Sequence, residues 1–213
     1  VFYNYRKPGD TLGTLSAPAT VIAGAGIYTG TRWGDYSMAA VDPVDGQSVW
    51  VFQEYVDNGK YRIYTQRVLA DAPVAISATG NTQRRGGTVV LTVTGTDFFD
   101  GPARYTNHLS ATVSGTGVTV NSITYDSPTQ VRLNLSVAGN APLGNRTVTI
   151  TNPDGQSTTT TFTVQPIKIS GTVVYQNYSA SAPRPATVVD LLDASNNIVD
   201  PRTITPAADG TFS

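Results

Sequence analysis

The stretch RWGDYSMAAVDPVDGQSVWVFQEYVDNGKYRIYTQRVL, Arg32 to Leu69, decides the fold class of this chain. It holds both tryptophans, the only methionine and four of the eleven tyrosines. Gln47 to Val56 and Lys60 to Leu69 are rich in Val, Ile, Tyr, Phe and Trp, which fit a pleated surface. Asp57-Asn58-Gly59 lies between them, and Asn and Gly tolerate positive φ, so the spacing predicts a tight hairpin of about three connecting residues. Val49 and Val51 point to one face of the first strand, Trp50 and Phe52 to the other. Apolar bulk on both faces predicts a strand covered from two sides. Asp42-Pro43-Val44-Asp45-Gly46 is a turn, with Pro setting φ and Gly closing it.

Working outward, the composition agrees with an all-β chain. Charged residues make up 14% of 213 residues, well below the usual quarter, and Gly and Pro are plentiful. The net charge of −1 offers no basic surface to neutralise phosphates, which argues against nucleic acid as a partner. The absence of cysteine excludes disulfides and thiol chemistry. No apolar run is long enough to span a bilayer, and no signal peptide is present, so membrane insertion is not expected. The first residue is Val, which reads as an N-terminus already cut.

Before the central stretch, Val1 to Arg6 alternates like a strand, Lys7-Pro8-Gly9-Asp10 is a turn, and Pro18 to Ala25 supplies a short strand around Val21 and Ile22. Gly24, Gly26, Gly30 and Gly34 lack the Lys and helix of a phosphate loop, so close backbone packing is the better reading. Residues 1 to 70 then supply four or five strands, about one propeller blade.

After Asp71-Ala72-Pro73 the pattern changes. Val89, Leu91 and Val93 alternate with threonines; so do Val148 and Ile150, and Phe162 and Val164. Val131, Leu133, Leu135 and Val137 alternate with Arg132, Asn134 and Ser136. Period-two alternation with turns about every dozen residues predicts a β-sandwich over residues 73 to 166. A third pattern begins at Ile167, with Ile169, Gly171, Val173 and Tyr175 on one face, strands at Thr187 to Leu192 and around Ile198 to Ile204, and a turn at Asp209-Gly210.

Three family resemblances attach to these motifs. Trp33-Gly34-Asp35-Tyr36-Ser37, Val41-Asp42-Pro43, Asp45-Gly46, Val49-Trp50 and Glu54-Tyr55 resemble the closing blade of secreted bacterial sialidase-like (BNR) β-propellers. Asp45-Gly46 before Trp50 is a loose relative of the Asp-box turn, with longer spacing and no leading Ser. The arginine cluster and acid of a sialidase are not recognisable. Gly95-Thr96-Asp97-Phe98, with Ala141-Pro142-Leu143-Gly144, Val148-Thr149-Ile150 and Asn152-Pro153-Asp154-Gly155, resembles IPT/TIG-type immunoglobulin-like domains. Ser170-Gly171-Thr172-Val173 and Asp209-Gly210-Thr211-Phe212 resemble the opening of carboxypeptidase-regulatory or Cna-B-like modules, which need about twice the length. The resemblances imply an all-β chain of three parts: a propeller-blade-like antiparallel sheet (1–70), an immunoglobulin-like β-sandwich (73–166) and an incomplete third β-sandwich (167–213).

No catalytic, cofactor-binding or metal-ligating residue is assigned, and no cofactor is expected. His108 is the only histidine and sits in a Thr-Asn-His-Leu loop without the partners of a triad or metal site. Asp35, Asp42, Asp45 and Glu54 could supply calcium oxygens, but EF-hand spacing is missing and turn capping is preferred, as for Asp97, Asp100 and Gly101. Tyr3, Tyr5, Tyr28, Tyr36, Tyr55, Tyr61 and Tyr64 crowd the first third; such rows stack sugars or line interfaces, although sheet packing is the plainer reading. Asn134, Asn145 and Asn177 begin formal glycosylation sequons.

A chain cut inside modules at both ends would expose strand edges. The expected function is therefore a non-enzymatic, extracellular or cell-surface structural or adhesive module. One version is a filament subunit completed by strand exchange, with Val1–Arg6 as donor and the third module as acceptor. The expected partners are other copies of the chain or neighbouring domains of a longer parent, with surface glycans as a further candidate. The alternative is a non-catalytic spacer or carbohydrate-binding tail of a secreted hydrolase.

Overall fold

The computed structural model describes residues 1–6, 10–167, 171–172, 187–192, 198–204, 207 and 211–212. Among them the chain is all-β, built of antiparallel sheets without a helix. It divides into two compact units, Val1–Val164 and Gln165–Ser213.

The first unit opens with β1 (Phe2–Tyr3), β2 (Ala19–Thr20), β3 (Met38–Val41), β4 (Val49–Asp57) and β5 (Lys60–Val68). These strands form a β1–β2 ladder and a separate three-stranded sheet in the order β3-β4-β5. Four or five strands were expected from residues 1 to 70; the five present are split between two sheets. The reason is the connection from Val21 to Ser37, whose glycines and polar residues carry no strand and whose one backbone bridge to the sheet is Ala25–Asp57.

The β4–β5 hairpin is tighter than the sequence suggests. Asp57 pairs with Lys60, leaving Asn58 and Gly59 as a two-residue loop. Their φ values of 50° and 74° are those of a type I′ turn, whose twist matches the flanking strands. Val1–Arg6 is not a free strand. Phe2 and Tyr3 pair with Thr20 and Ala19, and the Ser16 amide donates to the Tyr5 carbonyl at 2.8 Å. The strand proposed as a donor to another copy is thus occupied within its own chain.

Residues after the Asp71-Ala72-Pro73 connection form β6 (Val74–Thr79), β7 (Thr82–Arg84), β8 (Thr88–Thr96), β9 (Ser110–Val113), β10 (Val118–Ser127), β11 (Gln130–Val137), β12 (Gly144–Thr151) and β13 (Ser157–Gln165). They make two four-stranded sheets, β10-β11-β8-β6 and β7-β13-β12-β9. The alternation in the sequence is the reason both sheets have one apolar face. Leu91, Val93, Val131, Leu133 and Leu135 from one sheet and Val148, Ile150, Phe162 and Val164 from the other share one buried core. Phe98, Leu109 and Ala141 plug it from the loops. Full burial of each such side chain contributes about 1.5–3 kcal/mol.

In the second unit, β14 (Gly171–Thr172) pairs with β17 (Thr211–Phe212), and β15 (Thr187–Leu192) pairs with β16 (Ile198–Ile204). The Lys7-Pro8-Gly9 turn, Ile169, Val173, Tyr175, the Asn177 sequon and the Asp209-Gly210 turn lie outside the described residues.

Candidate functional site

The acidic turn before β4 is wired from within. Asp42 accepts the Val44 amide at 2.8 Å and, through its other oxygen, the Trp50 indole N–H at 2.8 Å. Asp45, 1% exposed, accepts the amides of Gln47 and Ser48 at 2.7 and 2.8 Å and the Ser48 hydroxyl at 2.6 Å. The Arg67 guanidinium completes its shell. Burial by itself would raise the pKa of Asp45; the bonds from Ser48, Gln47 and Arg67 outweigh it and hold the carboxyl below its ordinary value. Sequence reasoning did not single out Arg67. The register supplies it, because Arg67 on β5 stands directly opposite Trp50 on β4.

The same turn joins the three-stranded sheet to the sandwich-like body. The Val44 carbonyl accepts the amides of Thr106 and Asn107 at 3.0 and 2.9 Å. Asn107 donates onward to the Pro153 carbonyl at 3.1 Å. Gln156 reaches back to the Ala70 carbonyl at 2.7 Å, and the Arg67 guanidinium to that of Asp154 at 3.4 Å. Gly46 adopts φ +66°, and a Cβ there would fall 2.4 Å from the Tyr105 ring, so only glycine lets the loop close against the turn. On the body side Asn152 is buried, donates to the Asp97 carbonyl at 2.8 Å and accepts the Phe99 amide at 3.1 Å.

This joint leaves a cleft of about 480 Å³. Its floor is one face of the three-stranded sheet, Ala39, Val49, Val51 and Val68, which the register places on the same side. One wall is Tyr3 to Arg6; the other is Asp97-Phe98-Phe99 with Pro128; Leu69 to Asp71 and Gly46-Gln47 close the rest. The Tyr3 and Tyr5 rings lie 6.4 Å apart and 27° from parallel. Tyr3 ends β1, and Tyr5 lies in the irregular segment that follows it. The Tyr5 hydroxyl lies 3.3 Å from Asp71. Its volume falls within the range of small-molecule pockets.

The opposite face of the sheet is open. Met38, Tyr36, Tyr61 and Ile63 are 55, 60, 56 and 49% exposed around Phe52, so the expected second cover is not supplied by the described residues. Trp33, Tyr28 and Tyr61 cluster there, with ring centroids 5.7 and 6.1 Å apart.

The remaining candidates resolve as follows. Asp35 pairs with Arg32 on the surface, and Glu54 accepts the Gly34 amide at 2.7 Å. Asp35, Asp42, Asp45 and Glu54 therefore work as local hydrogen-bond acceptors, and no metal-binding cluster occurs among the described residues. His108 does have a partner that its local sequence did not reveal: its Nδ1 lies 2.8 Å from Asp100, which also accepts the Leu109 amide. No hydroxyl bonds to its other nitrogen among the described residues. Asp100 also raises the pKa of half-buried Tyr125, after burial itself. The Asn134 and Asn145 side chains are engaged across strands, to Asn121 at 3.1 Å and Thr163 at 2.9 Å.

No family model matches the chain, and no curated protein matches it. The propeller, IPT/TIG and Cna-B-like resemblances therefore rest on their motifs alone. Among solved structures, the chain is similar to SGBP-B of the Bacteroides ovatus mixed-linkage glucan utilization locus, solved in complex with a mixed-linkage heptasaccharide. The superposition covers 55% of this chain and 29% of that one, at 18% identity and a TM-score of 0.29. So loose a superposition carries no functional weight.

Proposed function

We propose that this chain is a non-catalytic, extracellular adhesive module that holds a ligand in the cleft between its three-stranded sheet and its two-sheet body. The cleft is the observation that carries the reading: it is concave, mostly apolar, flanked by a pair of tyrosines, and framed by a hydrogen-bonded joint. Preorganised walls favour binding because little ordering remains to be done when the ligand arrives. In support of a non-catalytic role, Asp45 and Glu54 are engaged as local hydrogen-bond acceptors.

In this reading residues 73–166 are an immunoglobulin-like sandwich of the IPT/TIG type serving as a rigid mount. Residues 1–70 are a blade-like sheet presenting the ligand, and residues 167–213 belong to a further β module. The strand order of the two four-stranded sheets and the buried Asn152-Pro153-Asp154 turn support the mount. The purified chain should adsorb saturably to particulate extracellular polysaccharide and release no reducing sugar. Absence of adsorption, or turnover of the adsorbed polymer, contradicts the proposal.

A further inference from the structure

We infer that the open face of the three-stranded sheet is a second binding surface, apart from the cleft, on which a short saccharide stacks against Trp33 and Tyr61. The register puts Met38, Phe52, Tyr61 and Ile63 on one side. Met38 stands opposite Phe52, and Ile63 and Tyr61 stand opposite Glu54 and Val56, which follow Phe52 at every second position. The loop between β2 and β3 brings Trp33 to this side. Two bonds hold the loop: the Gly34 amide donates to Glu54 at 2.7 Å, and the Asn58 amide donates to the Ala25 carbonyl at 2.8 Å. Tyr28 links loop to strand, its ring centroid 5.7 Å from that of Trp33 and 6.1 Å, edge-on, from that of Tyr61. Beside these rings lies a shallow depression of about 670 Å³ lined by Tyr36, Met38, Phe52 and Ile63. Asp35, also lining it, is paired with Arg32 at 2.8 Å.

The makeup of the face chooses the ligand. A pyranose ring presents a flat C–H face and a girdle of hydroxyls, so it needs an aromatic surface below and hydrogen-bonding groups at its edge. Trp and Tyr supply both, being apolar bodies with polar tips. Trp33 is 50% exposed, and Tyr36 and Tyr61 more so. Among the described residues no hydrogen bond occupies the Trp33 indole N–H or the hydroxyls of Tyr36 and Tyr61. These groups are available to sugar hydroxyls. Rings already packed on one another lose little freedom when the ligand arrives. Size argues against a macromolecular occupant. A stable protein partner needs about 20–30 residues a side, and the rings and depression described here are a fraction of that. They match a short saccharide.

The test screens the whole chain on an array of hexose, pentose and uronate oligomers, then titrates the best soluble oligomer while the two indole N–H signals are read by NMR. Trp50, whose indole N–H donates to Asp42 at 2.8 Å, is the internal reference, and Trp33→Phe assigns the signals. The Trp33 signal should move saturably, with the Trp50 signal moving little. Trp33→Ala should weaken binding about tenfold, the loss of one well-packed aromatic contact, and Trp33→Phe by less. Melting curves should not change, because the Trp33 ring is half exposed. Binding that leaves the Trp33 signal in place and survives Trp33→Ala would overturn the inference and leave the cleft as the site. Equal movement of both signals would report a change of the whole sheet and overturn it too, as would an array without hits. A dimer seen by light scattering and dissolved by Trp33→Ala would give the face to a second copy instead of a sugar.

Discussion

The two halves of the first unit are held by different physics. Residues 74–165 bury a continuous core in which Leu91, Leu133, Leu135, Ile150 and Phe162 are fully enclosed. Residues 1–72 bury little carbon by comparison: among the described residues Val21 and Val51 are buried apolar ones, while Asp42, Asp45, Ser48 and Glu54 are buried polar ones. One half is packed like a domain interior. The other is a thin sheet stitched to it by a carboxylate turn, one arginine and a few backbone carbonyls. A packed body tolerates a cleft beside it; a thin sheet provides one, because it has too little apolar mass to fill the space against its own floor.

The comparison is broken most severely by cutting the core. Phe162→Ala should cost about 3–5 kcal/mol, read as a fall in the denaturation midpoint of the whole first unit. Arg67→Ala should cost less, about 2–3 kcal/mol: it leaves Asp45 buried without its cation, but the guanidinium is one-third exposed, which reduces the loss. Its signature should be early proteolysis within residues 1–73, with the body intact.

Acid sharpens the same contrast. The Asp45 carboxyl titrates lower folded than unfolded, where an aspartate has a pKa of about 3.9. Its contribution is therefore complete above that value and is lost as pH falls through the lower folded value. Asp126, held at about 2 by Arg132 and Gln130, titrates in the same direction at the rim of the body but is exposed. Melting followed from pH 6 to pH 2 should show the sheet loosening before the body, and Asp45→Asn should flatten that early transition. The smallest effect is expected at the hairpin, where Gly59→Ala places a side chain in the left-handed region and should cost about 1 kcal/mol.

Where alternation is strict, the sequence was a good guide. Val131 to Val137, Val148 with Ile150, and Phe162 with Val164 face the core as their period demands. Strands β6, β9 and β10 are hard to see in the sequence, because their apolar positions are sparse and interrupted by Ser, Thr and Asn. Phe98, Leu109 and Ala141 reach the core from loops, where no period exists to announce them. The hairpin was legible from Asn58-Gly59, although its length was set by the Asp57–Lys60 pairing. The cleft was the least legible feature. Tyr3 and Tyr5 stood out as aromatics, but Asp71, Phe99 and Pro128 come from remote segments that only the joint assembles. Arg67 and the Asp100–His108 contact escaped for the same reason: each is a pairing across strands or loops, with no local spacing to betray it.

Hydrogen exchange on wild type and Arg67→Ala tests most directly whether the joint is held by polar stitching independent of the core. The amides of Thr106 and Asn107, bonded to the Val44 carbonyl, should be protected in the wild type and lose protection in the variant. Amides of Val131 to Val137 should keep theirs. Loss of protection in both segments together, or in neither, would contradict the account.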